Sequence, residues 1–177
     1  MNAYLTTLEL QKENMTFNAG HTTIFSATER EPLHGHYYQV AVAVSAWVTE
    51  NGMKFDYRYY KKRVGELCMQ LNQIFLMPMH SPYLEISEDA EYYYFKFNHK
   101  TMPFLKEDVK LMPVTNITVE ELSCWFVKQL TSNLKELDDL AIEKIEVKVF
   151  SAPGQSAGII WKRETDGRNQ GLSSLYP

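Results

Sequence analysis

Cysteine is scarce in this chain. Cys68 and Cys124 are the only two in 177 residues, too few for a disulfide framework. Both fall inside apolar helical patterns, where a reduced and buried thiol is expected. An excess of basic charge is missing as well: 18 Lys and Arg stand against 22 Asp and Glu, a net charge of -4. That balance excludes the basic stripe of a nucleic-acid binder. No apolar run reaches the ~20 residues that a membrane helix needs. The opening MNAYLTTLELQKEN lacks the basic start and hydrophobic middle of a secretory signal. A soluble cytoplasmic protein without nucleic-acid or membrane partners is the expectation. With 45% apolar and 23% charged residues, the chain has enough apolar side chains for the core of one domain.

The hydrophobic periods alternate in blocks. Tyr4 to Phe17 reads as a first strand and Tyr37 to Val48 as a second, in which Val40, Val42 and Val44 alternate with Ala41, Ala43 and Ser45. Asn51-Gly52 supplies a turn. Asp56 is placed to cap a helix whose apolar residues Tyr60, Val64, Leu67, Cys68 and Leu71 recur at helical spacing. Pro78 and Pro82 break the chain, and Leu84–Ile86, Tyr92–Phe97 and Thr101–Phe104 read as short strands. Thr118-Val-Glu-Glu121 is a capping box, which opens a second helix with the stripe Val119, Leu122, Phe126, Leu130 and Leu134. Ile142–Phe150 and Ala157–Trp161 close the pattern as strands, and residues 164–177 have no period and are expected to form a loose tail. Two strands, two helices and two strands imply an α+β domain over residues 1–163, with the helices on one face of an antiparallel sheet.

The triplet His34-Gly35-His36 is the most informative local pattern. Residues i and i+2 of a strand share a face with Cα atoms ~6.5–7 Å apart, so two imidazoles converge there. A catalytic zinc uses three protein ligands and keeps one position open. His21 becomes the third ligand if the first two strands are neighbours. On spacing alone the triplet is a weak signal, and two ordinary surface histidines at a strand edge are its commoner meaning. His80 and His99 read as loop residues.

Phe17-Asn-Ala-Gly-His21, His34-Gly-His36-Tyr, Gly52-Met-Lys-Phe-Asp56-Tyr57, Asn116-Ile-Thr-Val-Glu120-Glu-Leu and Val147-Lys-Val-Phe-Ser-Ala-Pro-Gly-Gln-Ser-Ala157 follow one another in the chain. Together they resemble the successive motifs of the 6-pyruvoyl-tetrahydropterin synthase and 6-carboxytetrahydropterin synthase family, over roughly residues 5–162. The resemblance implies a tunnelling fold: a four-stranded antiparallel sheet with two helices on one face. Subunits would join edge to edge into a trimeric barrel, doubled to a homohexamer. It also implies zinc on His21, His34 and His36, a small-molecule pterin substrate, and Thr118 and Glu120 near the pterin pocket. Residues 84–113 look like a hairpin insertion carried by a longer branch of the family.

The resemblance implies losses too. The family's base is a Cys four residues before the first His of the triplet, and Arg30 stands there. A guanidinium is no base near neutral pH. Leu71-Asn72-Gln73 replaces the family's Leu-Asp-His, and Ser151 stands where a Glu anchors the pterin ring. Glu31 gives the pattern Glu-x-x-His-Gly-His. A variant branch of the family, which cleaves the side chain of dihydroneopterin triphosphate, carries a Glu at this spacing in place of the Cys. Two functions are therefore expected to compete: a zinc-dependent pterin synthase-like lyase with Glu31 as its base, and a zinc-binding family member that serves as a ligand-binding or structural protein.

Overall fold

The computed structural model describes residues 3–48, 52–53 and 55–163. Asn51 of the expected Asn51-Gly52 turn and the tail from 164 to 177 lie outside the described residues. The expected first strand is split into β1 (Tyr4–Leu10) and β2 (Thr16–His21). The cause is the polar run Gln11-Lys-Glu-Asn14, which a continuous strand would drive alternately into the core. The chain turns out instead, through a bond from the Met15 N–H to the Lys12 carbonyl, 2.9 Å. Met15 then re-enters the core fully buried.

Both pieces pair antiparallel with β3 (His34–Val48), β1 along its second half and β2 along its first. Val40, Val42 and Val44 point into the core, as the alternation predicts. β9 (Ile142–Ala152) flanks β3 on the other side and forms a hairpin with β10 (Gln155–Lys162). Where β9 meets Ser45 and Ala46 the register slips. The slip lets Ile142 and Ile145, three residues apart, both face inward. These strands form the expected antiparallel sheet, with its first strand in two pieces.

The sheet runs further than expected. β4 (Ile74–Pro78) pairs parallel with β2, and β8 (Val109–Met112) pairs parallel with β4. β4 was hidden in the sequence because an apolar run buried on both faces has no alternation, and Pro78 read as a break rather than as the strand's last residue. β5 (Glu85–Glu88), β6 (Tyr92–Phe97) and β7 (Lys100–Leu105) form a separate three-stranded sheet. It packs on a second small core around Met77, Phe95 and Val109. Asn98 and His99 take positive φ at the tight β6–β7 turn, which agrees with reading His99 as a turn residue.

Helix α1 (Arg58–Met69) buries Tyr60, Val64, Leu67 and Cys68. Asp56 lies two residues before it and accepts from the Arg58 N–H at 2.9 Å. Helix α2 (Val119–Leu130) packs across β9 and β10. Thr118 Oγ1 accepts from the Glu121 N–H at 3.3 Å, as the capping box requires. The Glu121 carboxylate accepts from the Thr115 hydroxyl at 3.0 Å. The second stripe stops earlier than the sequence suggests. Leu134 is 63% exposed, because α2 ends at Leu130 and Asn133 caps a separate short helix, α3 (Leu134–Asp139). No helix among the described residues is long and apolar enough to cross a membrane.

A candidate metal centre with a neighbouring carboxylate

The β2–β3 register assembles the site. His21 lies directly opposite His34, Ala19 opposite His36, and Phe17 opposite Tyr38. Strand alternation puts all six on one face. Tyr38 and Phe17 stack at 4.8 Å between ring centroids and form the apolar floor. Small Ala19 leaves room for the His36 ring across from it. The other face carries Gly20 opposite Gly35. A Cβ on Gly20 would come within 2.4 Å of the Phe75 ring, so Gly at this position is what lets β4 close on β2.

His21, His34 and His36 each bring a ring nitrogen within 4.8 Å of the others. A tetrahedral zinc with Zn–N bonds of ~2.0–2.1 Å needs nitrogens ~3.3 Å apart, so the three rings are already near ligating positions. Their protonation follows from their partners. His21 Nδ1 lies 3.0 Å from the Ile117 carbonyl, and His34 Nδ1 lies 2.8 Å from the Pro32 carbonyl. A carbonyl only accepts, so both Nδ1 atoms carry the hydrogen and both Nε2 atoms keep a lone pair. His21 Nε2 is buried and has no hydrogen-bond partner, an arrangement that protein interiors avoid unless something binds there. His34 Nε2 and His36 Nε2 face each other at 3.0 Å, which requires a proton or a cation between them. This donor set fits a divalent ion such as zinc.

Electrostatics favour the neutral form of two of the rings, His21 and His36. Burial, followed by repulsion from His34 and His36, lowers the His21 pKa to about 4. Burial and His34 lower that of His36. Neutral imidazole is the form that ligates a metal.

Glu31 stands next to the rings, its carboxylate 4.0 Å from His34 Nε2. A hydrogen bond from the Thr23 side chain holds its pKa below the ordinary carboxylate value, against a smaller opposing effect of burial. The backbone around Glu31 is pinned too: its N–H donates to the Thr23 carbonyl at 2.9 Å, and its carbonyl accepts from Thr22 Oγ1 at 2.7 Å.

The other sequence-singled residues fall differently. Arg30 turns away toward β6 and β7, where its guanidinium lies over the Phe97 ring, 5.8 Å from the centroid. Asn72 Oδ1 accepts from the Asn18 N–H at 2.8 Å and Gln73 N–H donates to the Asn18 carbonyl at 2.6 Å. The Asn72 side chain and the Gln73 backbone thus lock the α1–β4 turn onto β2, with Gln73 at φ 59°. Gln73, Asn18, Gly20, His36, Tyr37 and Asp108 line a cleft of about 480 Å³. Thr118 caps α2 one residue after the Ile117 carbonyl that orients His21. Glu120 is exposed on the first turn of α2 and does not join the histidine cluster. Ser151 is half-buried near the end of β9.

The sequence did not disclose the clamp at Asn116. Its Oδ1 accepts from the Ile24 and Ile117 N–H groups, 3.1 Å each, and its Nδ2 donates to the Ile24 carbonyl at 2.8 Å. One side chain therefore joins the loop after His21 to the loop whose carbonyl holds His21. Its place as first residue of the Asn-x-Thr-x-Glu motif was the only signal.

The chain is similar to known proteins across almost all of this framework. The family model described as 6-pyruvoyl tetrahydropterin synthase matches residues 9–159. A protein of Methanocaldococcus jannaschii, named as a candidate 6-carboxy-5,6,7,8-tetrahydropterin synthase, is 29% identical over 145 residues, covering 81% of this chain and 88% of that one. The structure of Plasmodium vivax 6-pyruvoyltetrahydropterin synthase superposes with a TM-score of 0.85 at 26% identity, covering 90% of this chain and 99% of that one. The same enzyme, solved with a catalytic glutamate replaced by cysteine or by alanine, superposes equally well. A protein that carries the family's motifs in order, and folds as its members fold, belongs to the 6-pyruvoyl tetrahydropterin synthase family.

Proposed function

We propose that this chain is a zinc-dependent lyase of the pterin synthase type, with His21, His34 and His36 as metal ligands and Glu31 as the proton-transfer group. The observation that carries the reading is the placement of an ionised carboxylate, Glu31, 4.0 Å from a histidine in a trio whose buried Nε2 has no partner. The Plasmodium vivax relative supports it, since that synthase has a glutamate as catalytic residue. Bound zinc would supply a Lewis acid for side-chain oxygens of the substrate. Glu31, kept ionised by Thr23, accepts a proton from a substrate carbon and can return it. His21 stays neutral, and Tyr38 and Phe17 keep water from its inner flank.

The substrate class we assign is a dihydroneopterin triphosphate-like pterin, with the cleft beside His36 and the α2 start at Thr118 and Glu120 as its binding surfaces. A cleft of this size suits a ligand of two fused rings and a short side chain. Assembly into a trimeric barrel, doubled to a hexamer, would cover the open sheet edges at β1 and β10. Two free, buried cysteines suit a reducing cytoplasm. A second reading, a zinc-binding family member without turnover, draws on Asn72 and Gln73: the Asn72 amide is committed to holding Asn18, and neither side-chain amide transfers protons.

Product analysis after incubating the zinc-loaded protein with dihydroneopterin triphosphate separates the two. Side-chain cleavage that Glu31→Gln lowers by roughly 10²–10⁴-fold, with zinc retained, supports the lyase. Absence of any product in the unaltered protein supports the binding protein.

A further inference from the structure

Arg30 occupies the place of the family's usual base, yet its side chain is fully engaged. Nη1 donates to the Glu31 carbonyl at 2.7 Å, Nη2 lies 3.5 Å from Met102 Sδ, and the guanidinium sits 5.8 Å from the centroid of Phe97. That last separation falls within the ~6 Å reach of a cation–π contact. Phe97 ends β6 and is 6% exposed, and Met102 belongs to β7. The three-stranded sheet therefore grips Arg30, and Arg30 grips the residue that follows it. On its other side the same strip is held by an antiparallel bridge from Arg30 to Ile24, and Asn116 holds Ile24. With its peptide fixed from both directions, Glu31 holds its carboxylate through its own side-chain torsions and the hydrogen bond from the Thr23 side chain.

We propose that Arg30 is a positioning residue, which couples the three-stranded sheet to Glu31 and sets where the Glu31 carboxylate lies beside the histidines. The inference rests on the reading of Glu31 as the proton-transfer group. It explains why a base-incapable side chain stands in the former base position: the charge is spent on the Glu31 carbonyl and the Phe97 ring. A shift of about 1 Å in a reacting group costs on the order of 10²-fold in rate, so a loosened Glu31 should lower kcat while leaving KM little changed.

The test uses Arg30→Met, which keeps packing on Phe97 but loses the donor, and Arg30→Lys, which keeps charge. Both are measured with zinc loaded and dihydroneopterin triphosphate as probe. Arg30→Met should lower kcat roughly 10–100-fold with KM within about twofold, and Arg30→Lys should recover part of the loss. In a Glu31→Gln background, Arg30→Met should cost nothing further; a merely structural role would lower both backgrounds alike. A crystal structure of Arg30→Met should show the Glu31 carboxylate withdrawn from His34. If that carboxylate stays in place and kcat holds within about twofold, the inference is overturned. If Glu31→Gln retains full turnover, or the unaltered protein has none, the reading of Glu31 falls instead. The crystal structure then decides the positioning role by itself.

Discussion

Acid should destabilise the metal-free protein through His21, and the size of the effect follows from the structure. The His21 pKa falls from 6.5 to about 4 on folding, and the ring is only 5% exposed, so solvent screens the shift little. Between these two values the unfolded chain binds a proton that the folded chain refuses. Stability therefore rises with pH across this window and is lost as pH falls through it. At ~1.36 kcal/mol per pKa unit, the full loss is about 3 kcal/mol, and about 2 kcal/mol of it should appear between pH 7 and pH 4.5. His36, also lowered, adds in the same direction. The assay is urea unfolding with a chelator present at both pH values, for the unaltered protein and for His21→Gln. An amide can still meet the Ile117 carbonyl but does not titrate. The variant should lose clearly less stability over the same pH interval. Equal losses in the two proteins would refute a buried neutral His21.

Three further outcomes can be checked on other parts of the framework. Asn116→Ala strands the backbone groups of Ile24 and Ile117 and should cost about 1–3 kcal/mol by denaturant unfolding; a loss under about 0.5 kcal/mol would show that water replaces the amide. Light scattering at micromolar concentration should give a trimer or hexamer, and a monomer throughout would contradict barrel closure. Ser151→Glu should raise the affinity for a dihydropterin several-fold in calorimetry, whereas unchanged affinity would place the ring elsewhere.

Much of this was readable before any coordinates. The period-two valines of β3, the capping box at Thr118 and the His-Gly-His spacing are local signals with one physical meaning each, and they located the sheet, α2 and two of three site histidines. His21 needed the pairing of β2 with β3, which spacing only suggested. β4 escaped because a strand buried on both faces lacks alternation, and β8 because four residues with Lys110 among them are too short to show a period. The break before β2 escaped because it depends on where Met15 re-enters the core, a tertiary matter. Arg30 read only as the replacement of a base, and its contacts with Phe97 and Met102 join segments too distant in sequence to be foreseen. Asn72 and Gln73 likewise read as lost chemistry, whereas the structure shows them satisfying both backbone groups of Asn18.

Everything functional depends on the three histidines sharing one ion. Zinc should therefore be measured in protein purified without chelators, for the unaltered chain and for His36→Ala. The account predicts about one zinc per chain, as three ligands and an open position imply, and loss of most of it in the variant. Unaltered protein that takes up no zinc even when the ion is supplied would contradict it.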